Sequence, residues 1–157
     1  MVLFLDFDGV CHPGCATVRT RFANLPLLES WLREQVSVEV VISSSWRIYS
    51  PLPELAQHFA EDLRHRVIGA TPAYGLLKSA PDPQWDHCKR EFEALSWMQS
   101  NAGPDRSWVC MDDMAKIFSP NCQHLVLCDP AVGLTKRELR SVERNLGLPA
   151  SVGSRAV

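Results

Sequence analysis

Met1-Val2-Leu3-Phe4-Leu5-Asp6-Phe7-Asp8-Gly9-Val10 decides how the rest of this chain is read. An apolar run with the character of a buried strand ends in two carboxylates one residue apart, and a glycine follows. Acids at the edge of a core repel each other and lose hydration. A hard divalent cation relieves both penalties. A metal beside an aspartate, in turn, points to phosphate chemistry.

Four further apolar, β-rich runs follow, at residues 38–42, 66–68, 108–111 and 125–128. They are nearly continuous rather than alternating, as strands covered on both faces are. Helical patterns lie between them. Leu27, Leu28, Trp31 and Leu32 form one apolar stripe, and Leu55, Phe59 and Leu63 repeat every four residues on a second. A third helix begins near Asp86 and carries Phe92, Leu95 and Met98-Gln99. A fourth opens at Thr135 with Glu138 three residues later, a capping-box signature. The order β-α-β-α-β-α-β-β-α predicts an α/β fold, a three-layer α/β/α sandwich on a parallel five-stranded sheet with right-handed crossovers. Ligands of such sheets bind beyond the C-terminal strand ends. Residues 70–86, with Pro72, Gly75, Pro81 and Pro83, read as a loop too short for a second domain, so residues 1–157 are read as one domain. The tail after Leu148 is expected to fray.

The 157 residues suffice for a sizeable core, and 46% hydrophobic with 22% charged residues is ordinary for a globular chain. A net charge of −2 excludes the broad basic field of a general nucleic-acid binder. No run approaches the ~18 apolar residues of a membrane span, and the strand-like start is unlike a secretory signal. These features predict a cytoplasmic protein with no membrane partner. The six cysteines form no C-x-x-C pair and read as reduced thiols. Cys11, His12 and Cys15 do not make the closed four-ligand set of zinc.

Three strands end in chemistry-bearing residues that parallel pairing brings to one sheet edge. An oxygen of Asp6 suits attack on phosphorus. Asp8 suits protonation of the leaving oxygen and later deprotonation of water. Gly9 turns the backbone sharply away. The bland reading of this stretch is an Asx turn. Asp112-Asp113, after Trp108-Val109-Cys110-Met111, suits an octahedral magnesium, or else caps a helix at 114–118. Ser43, Ser44 and Ser45 offer hydroxyls and N–H groups to phosphate oxygens, or else an N-cap. Lys89 and Arg90, near a helix start, offer a cation for phosphate charge.

The ordered set Asp6-Phe7-Asp8-Gly9-Val10, Ile42-Ser43-Ser44-Ser45-Trp46-Arg47, Lys89-Arg90 and Asp112-Asp113 resembles the four motifs of the haloacid dehalogenase (HAD) superfamily. The resemblance covers roughly residues 2–135. Its finer features, Ser-rich then Trp-Arg, Arg90-Glu91-Phe92-Glu93-Ala94-Leu95-Ser96-Trp97, and Asp129-Pro130-Ala131-Val132-Gly133-Leu134-Thr135, resemble a small capless branch with members associated with RNA-repair proteins. The resemblance implies a Rossmann-like phosphatase core with Asp6 as nucleophile and Asp8 as acid/base. It implies magnesium held by Asp6, the backbone carbonyl of Asp8 and Asp112, with Asp113 as a further ligand or supporting partner. Ser44 is then the phosphate-binding hydroxyl, with Ser43 the alternative, and Arg90 the motif-three cation, with Lys89 open.

Only 35 residues separate Asp8 from Ser44, too few for a cap domain. An open site predicts a substrate that is itself large, a nucleic-acid end or phosphoprotein, or an unselective phosphatase of small molecules. Trp46, Arg47 and His12 are the candidates for contact with it; Trp46 and Arg47 alternatively pack and pair beneath the loop. Arg137, Arg140 and Arg144 share a helix face that Glu138 and Glu143 dilute. The expectation is a magnesium-dependent phosphomonoester hydrolase. The alternatives are a polynucleotide end phosphatase, or a HAD fold kept as a binding module. A phospho-acceptor signalling domain is disfavoured by motif order, because its nucleophile follows the third strand.

Overall fold

The computed structural model describes residues 1–74, 87–103 and 105–151. Among the described residues five strands form one sheet: β1 (Val2–Leu5), β2 (Glu39–Ile42), β3 (Val67–Ala70), β4 (Trp108–Asp112) and β5 (Leu125–Leu127). Every pairing is parallel and the spatial order is β3-β2-β1-β4-β5. β1 therefore lies at the centre, between β2 and β4, which explains why its four residues are all fully buried. The expected α/β architecture and all five strands stand, with boundaries shifted by a residue or two.

Helices cover both faces. α1 (Leu25–Glu34) and α4 (Lys136–Leu146) pack Leu28, Trp31, Leu32, Leu139 and Val142 against one side of the sheet. α3 (Lys89–Asn101) packs Ala94, Trp97 and Met98 against the other. α4 has the capping box read from sequence: Thr135 accepts from the Arg137 N–H, and Glu138 Oε2 accepts from the Thr135 N–H at 2.9 Å. Among the described residues nothing forms a cap over the C-terminal ends of the strands, and no helix is long and apolar enough to cross a membrane.

One helical expectation needs correction. Leu55, Phe59 and Leu63 are all buried, yet they do not share a helix. α2 (Leu52–Ala56) stops, and a 3₁₀ segment, Glu61–Arg66, resumes beyond an extended Ala60. Tertiary bonds hold the break: Glu29 Oε1 accepts from the Ala60 N–H at 2.6 Å, and Arg64 Nε donates to the Phe59 carbonyl at 3.1 Å. The expected start near Asp86, most of the 70–86 loop and the tail beyond Ser151 lie outside the described residues.

Candidate active site

Side-chain alternation decides which strand-end residues meet. On β1, Leu3 and Leu5 face the α1/α4 side while Val2 and Phe4 face α3. Asp6 extends the α3 row. Val41 and Cys110 also face α3, so Ser43 and Asp112 follow them to the same side. Three neighbouring strand ends thus aim Asp6, Ser43 and Asp112 toward the start of α3.

Asp6 is 5% exposed and Asp112 is fully buried. One oxygen from each of Asp6, Asp112 and Asp113 lies within 4.8 Å of the others. Burial, then the charge of Asp6, pushes the Asp112 carboxyl up to about 7. Asp113 is raised by the same two causes. Asp112 Oδ1 accepts from the Met114 N–H at 2.9 Å, but Oδ2 is buried with no hydrogen bond. Three crowded carboxylates with one orphaned oxygen suit a hard cation, since it would satisfy the oxygen and cancel the repulsion. Gly9 makes the crowding feasible. Its φ is +68°, and a Cβ there would lie 2.2 Å from Asp113 Oδ2.

Arg90, in the first turn of α3, enters this cluster. Its Nη1 is 3.9 Å from Asp6 Oδ1 and its Nε 3.7 Å from Asp112 Oδ2. Nη1 is buried without a hydrogen bond. Lys89 instead is exposed, its ammonium 5.4 Å from the centre of the Tyr74 ring. Of the two cations, only Arg90 faces the acids.

Arg47 does not stand at the surface as a free substrate contact. Its side chain is 6% exposed; it donates to Glu93 Oε2 at 2.6 Å and to the carbonyls of Ser43, Ser44 and Thr71 at 2.7–2.9 Å. Glu93 also accepts from the Tyr74 N–H at 2.8 Å, and burial raises its carboxyl despite two nearby arginines. The sequence places Glu93 in the Arg90–Trp97 motif without giving it a role. Its i, i+3 spacing from Arg90 was the available signal.

Asp8 is set apart from the other acids. Its side chain, half exposed, turns to two ring nitrogens: Trp46 Nε1 donates to Oδ2 at 2.8 Å, and His12 Nε2 lies 3.0 Å from Oδ1. His12 is 2% exposed, so it supports Asp8 rather than reaching outward as a loop residue would. The Trp46 indole is likewise no open platform. Phe7, Phe22 and His58 meet it edge-on at 5.5–5.6 Å between ring centres, and the Arg21 guanidinium sits 5.4 Å from its centre. Phe22, His58 and Arg21 carry no sequence signal for this cluster.

The three serines separate. Ser43 follows the α3 row beside Asp6. Ser44 is fully buried and its hydroxyl accepts from the Trp46 N–H at 3.5 Å, the N-cap of the 3₁₀ turn Ser45–Ile48. Ser45 is exposed. On the far side of the loop that follows Asp6, the Leu134 N–H donates to the Val10 carbonyl at 2.9 Å, and the +80° φ of Gly133 permits that close approach.

Three strand ends and the start of α3 therefore meet in one acidic, arginine-bearing cluster at the carboxyl edge of a parallel sheet. No curated protein and no solved structure matches the chain. The family model described as the HAD domain in Swiss Army Knife RNA repair proteins matches residues 2–139, which include every site residue above, and the chain belongs to that family.

Proposed function

We propose that this domain is a magnesium-dependent phosphatase that removes terminal phosphate from nucleic-acid ends. The observation that carries the reading is the Asp6, Asp112 and Asp113 cluster with the orphaned Oδ2 of Asp112 and Arg90 alongside. The RNA-repair family supports the choice of substrate class. Asp6, Asp112, Asp113 and the Asp8 carbonyl would hold the ion. When bound, magnesium supplies charge neutralisation for the phosphate and the attacking carboxylate.

The chain's own residues divide the remaining work. An Asp6 oxygen forms a bond to phosphorus as the bond from phosphorus to the leaving oxygen breaks, and Asp8 gives that oxygen a proton. Water then adds to phosphorus, its proton passes to Asp8, and the acyl phosphate bond to Asp6 breaks. Arg90 balances negative charge on the phosphoryl group. Ser43, on the Asp6 side of the sheet, is a better phosphate-binding hydroxyl than Ser44, whose oxygen caps the following turn. Arg47 and Glu93 brace the Ser43–Ser44 backbone against α3.

The test is phosphate release, with magnesium, from 3′- and 5′-phosphorylated oligonucleotides and from small phosphometabolites. Oligonucleotide ends should be preferred. Asp6→Asn should abolish release, and Asp8→Asn should lower it by ~10²–10⁴. An Asp6→Asn protein as active as the parent would overturn the covalent route.

A further inference from the structure

A pocket of about 390 Å³ opens beside the cleft, lined by Arg21, Ser45, Trp46, Tyr49 and Ser50. None of the steps above uses it. Its place follows from Asp8, on the phosphatase reading just given. An acid that protonates the leaving oxygen must face it, so the group carried by that oxygen lies on the Asp8 side of the phosphate. Trp46 is bonded to Asp8 through Nε1, and the pocket begins at that same indole. A leaving group on the Asp8 side of the phosphate therefore lies next to Trp46, the residue that the site shares with the pocket.

We propose that this pocket is the subsite for the terminal nucleoside of a phosphorylated nucleic-acid end. The base lies against Tyr49, and Arg21 meets the next phosphate along the strand. Tyr49 is 86% exposed, and its neighbour Ile48 is 57% exposed. Such a ring beside a catalytic cleft is a surface awaiting a flat partner. Trp46 cannot fill that role, because Phe7, Phe22, His58 and Arg21 already surround it; it forms the inner wall. Arg21 supplies positive charge at this rim in a chain whose net charge is −2. The Ser45 and Ser50 hydroxyls can donate to or accept from sugar and base edges. A base that must lie on Tyr49 has to be unpaired, so the subsite favours single-stranded or frayed ends.

The experiment compares KM for a phosphorylated single-stranded pentanucleotide with KM for β-glycerol phosphate, which has no base. Parent, Tyr49→Ala, Tyr49→Phe and Arg21→Gln proteins are assayed with magnesium. Tyr49→Ala should raise the pentanucleotide KM relative to glycerol phosphate by about 5–150-fold, the range of one stacked base. Tyr49→Phe should restore most of it. Arg21→Gln should flatten the salt dependence of the pentanucleotide KM. RNA and DNA pentamers run in parallel distinguish the two sources of the same chemistry: equal effects point to stacking alone, and a larger effect on RNA adds the 2′-hydroxyl. Equal changes for both substrates in Tyr49→Ala, or none, overturn the subsite. A parent protein that releases phosphate from neither substrate overturns the phosphatase reading beneath it.

Discussion

Trp46 Nε1 donates to Asp8 Oδ2 at 2.8 Å while His12 Nε2 sits 3.0 Å from Oδ1, so both oxygens of the acid outside the carboxylate cluster are held by ring nitrogens. A carboxylate gripped from two sides keeps one rotamer. In the proposed reaction Asp8 would meet first a leaving oxygen and then a water, and one fixed rotamer would serve both from one position.

Trp46→Phe keeps most of the edge-on packing and removes the donor. A hydrogen bond to a charged group is worth ~1.5–3 kcal/mol. Turnover should fall about 10–100-fold for large and small phosphate esters alike, with a thermal midpoint within a few degrees of the parent. A loss confined to oligonucleotides would return Trp46 to the substrate-stacking role.

Gly9→Ala meets two obstacles together. The backbone has a φ of +68°, and the new methyl would collide with the Asp113 carboxylate. Backbone strain of this kind costs ~1–3 kcal/mol, and Asp113 must move. The variant should fold with a lower midpoint and gain less stability from magnesium than the parent does, as read by thermal unfolding with and without the ion.

Asp112→Asn should separate stability from function. The amide carbonyl can still accept from the Met114 N–H, and a buried negative charge beside Asp6 disappears. The metal-free variant should unfold at a higher temperature than the metal-free parent. Magnesium should then raise the parent's midpoint but leave the variant's unmoved, and phosphate release should be lost.

Arg47→Met leaves the Glu93 carboxylate buried without its main partner. Breaking one side of a buried pair costs ~3–5 kcal/mol, and each kcal/mol lowers the midpoint of a domain this size by about 2–4 °C. Adding Glu93→Leu should recover much of that loss. Wild-type stability in Arg47→Met, with a raised KM, would make Arg47 a substrate contact after all.

The sheet was legible because its strands are covered on both faces and so run nearly unbroken in apolar residues. The carboxylates were legible because buried strands rarely end in paired acids. What stayed hidden depended on tertiary neighbours. The four-residue spacing of Leu55, Phe59 and Leu63 reports burial correctly, but Glu29 and Arg64 hold the backbone out of the helix between them. Ser43 and Ser44 could have been told apart by carrying strand alternation from Val41 one step further. Trp46 and His12 could not have been assigned, since nothing local says that rings at 12 and 46 would close on the carboxylate at 8. Arg47 reads equally as a substrate cation or as the partner of an acid, and α3 decides between them by bringing Glu93 beside it.

The central position of β1 also governs the timing of assembly. β1 is synthesised before both of its neighbours, and β4 is made only after β2 and β3. Until residue 112 has left the ribosome, Asp6 stands on an open edge with neither Asp112 nor Asp113 beside it. At ~5–20 residues per second, that interval lasts several seconds. A nascent chain therefore carries Asp6 early but acquires the full carboxylate cluster late, when the fourth strand docks. The carboxylate cluster is thus assembled by the docking of β4, before β5 closes the far edge of the sheet.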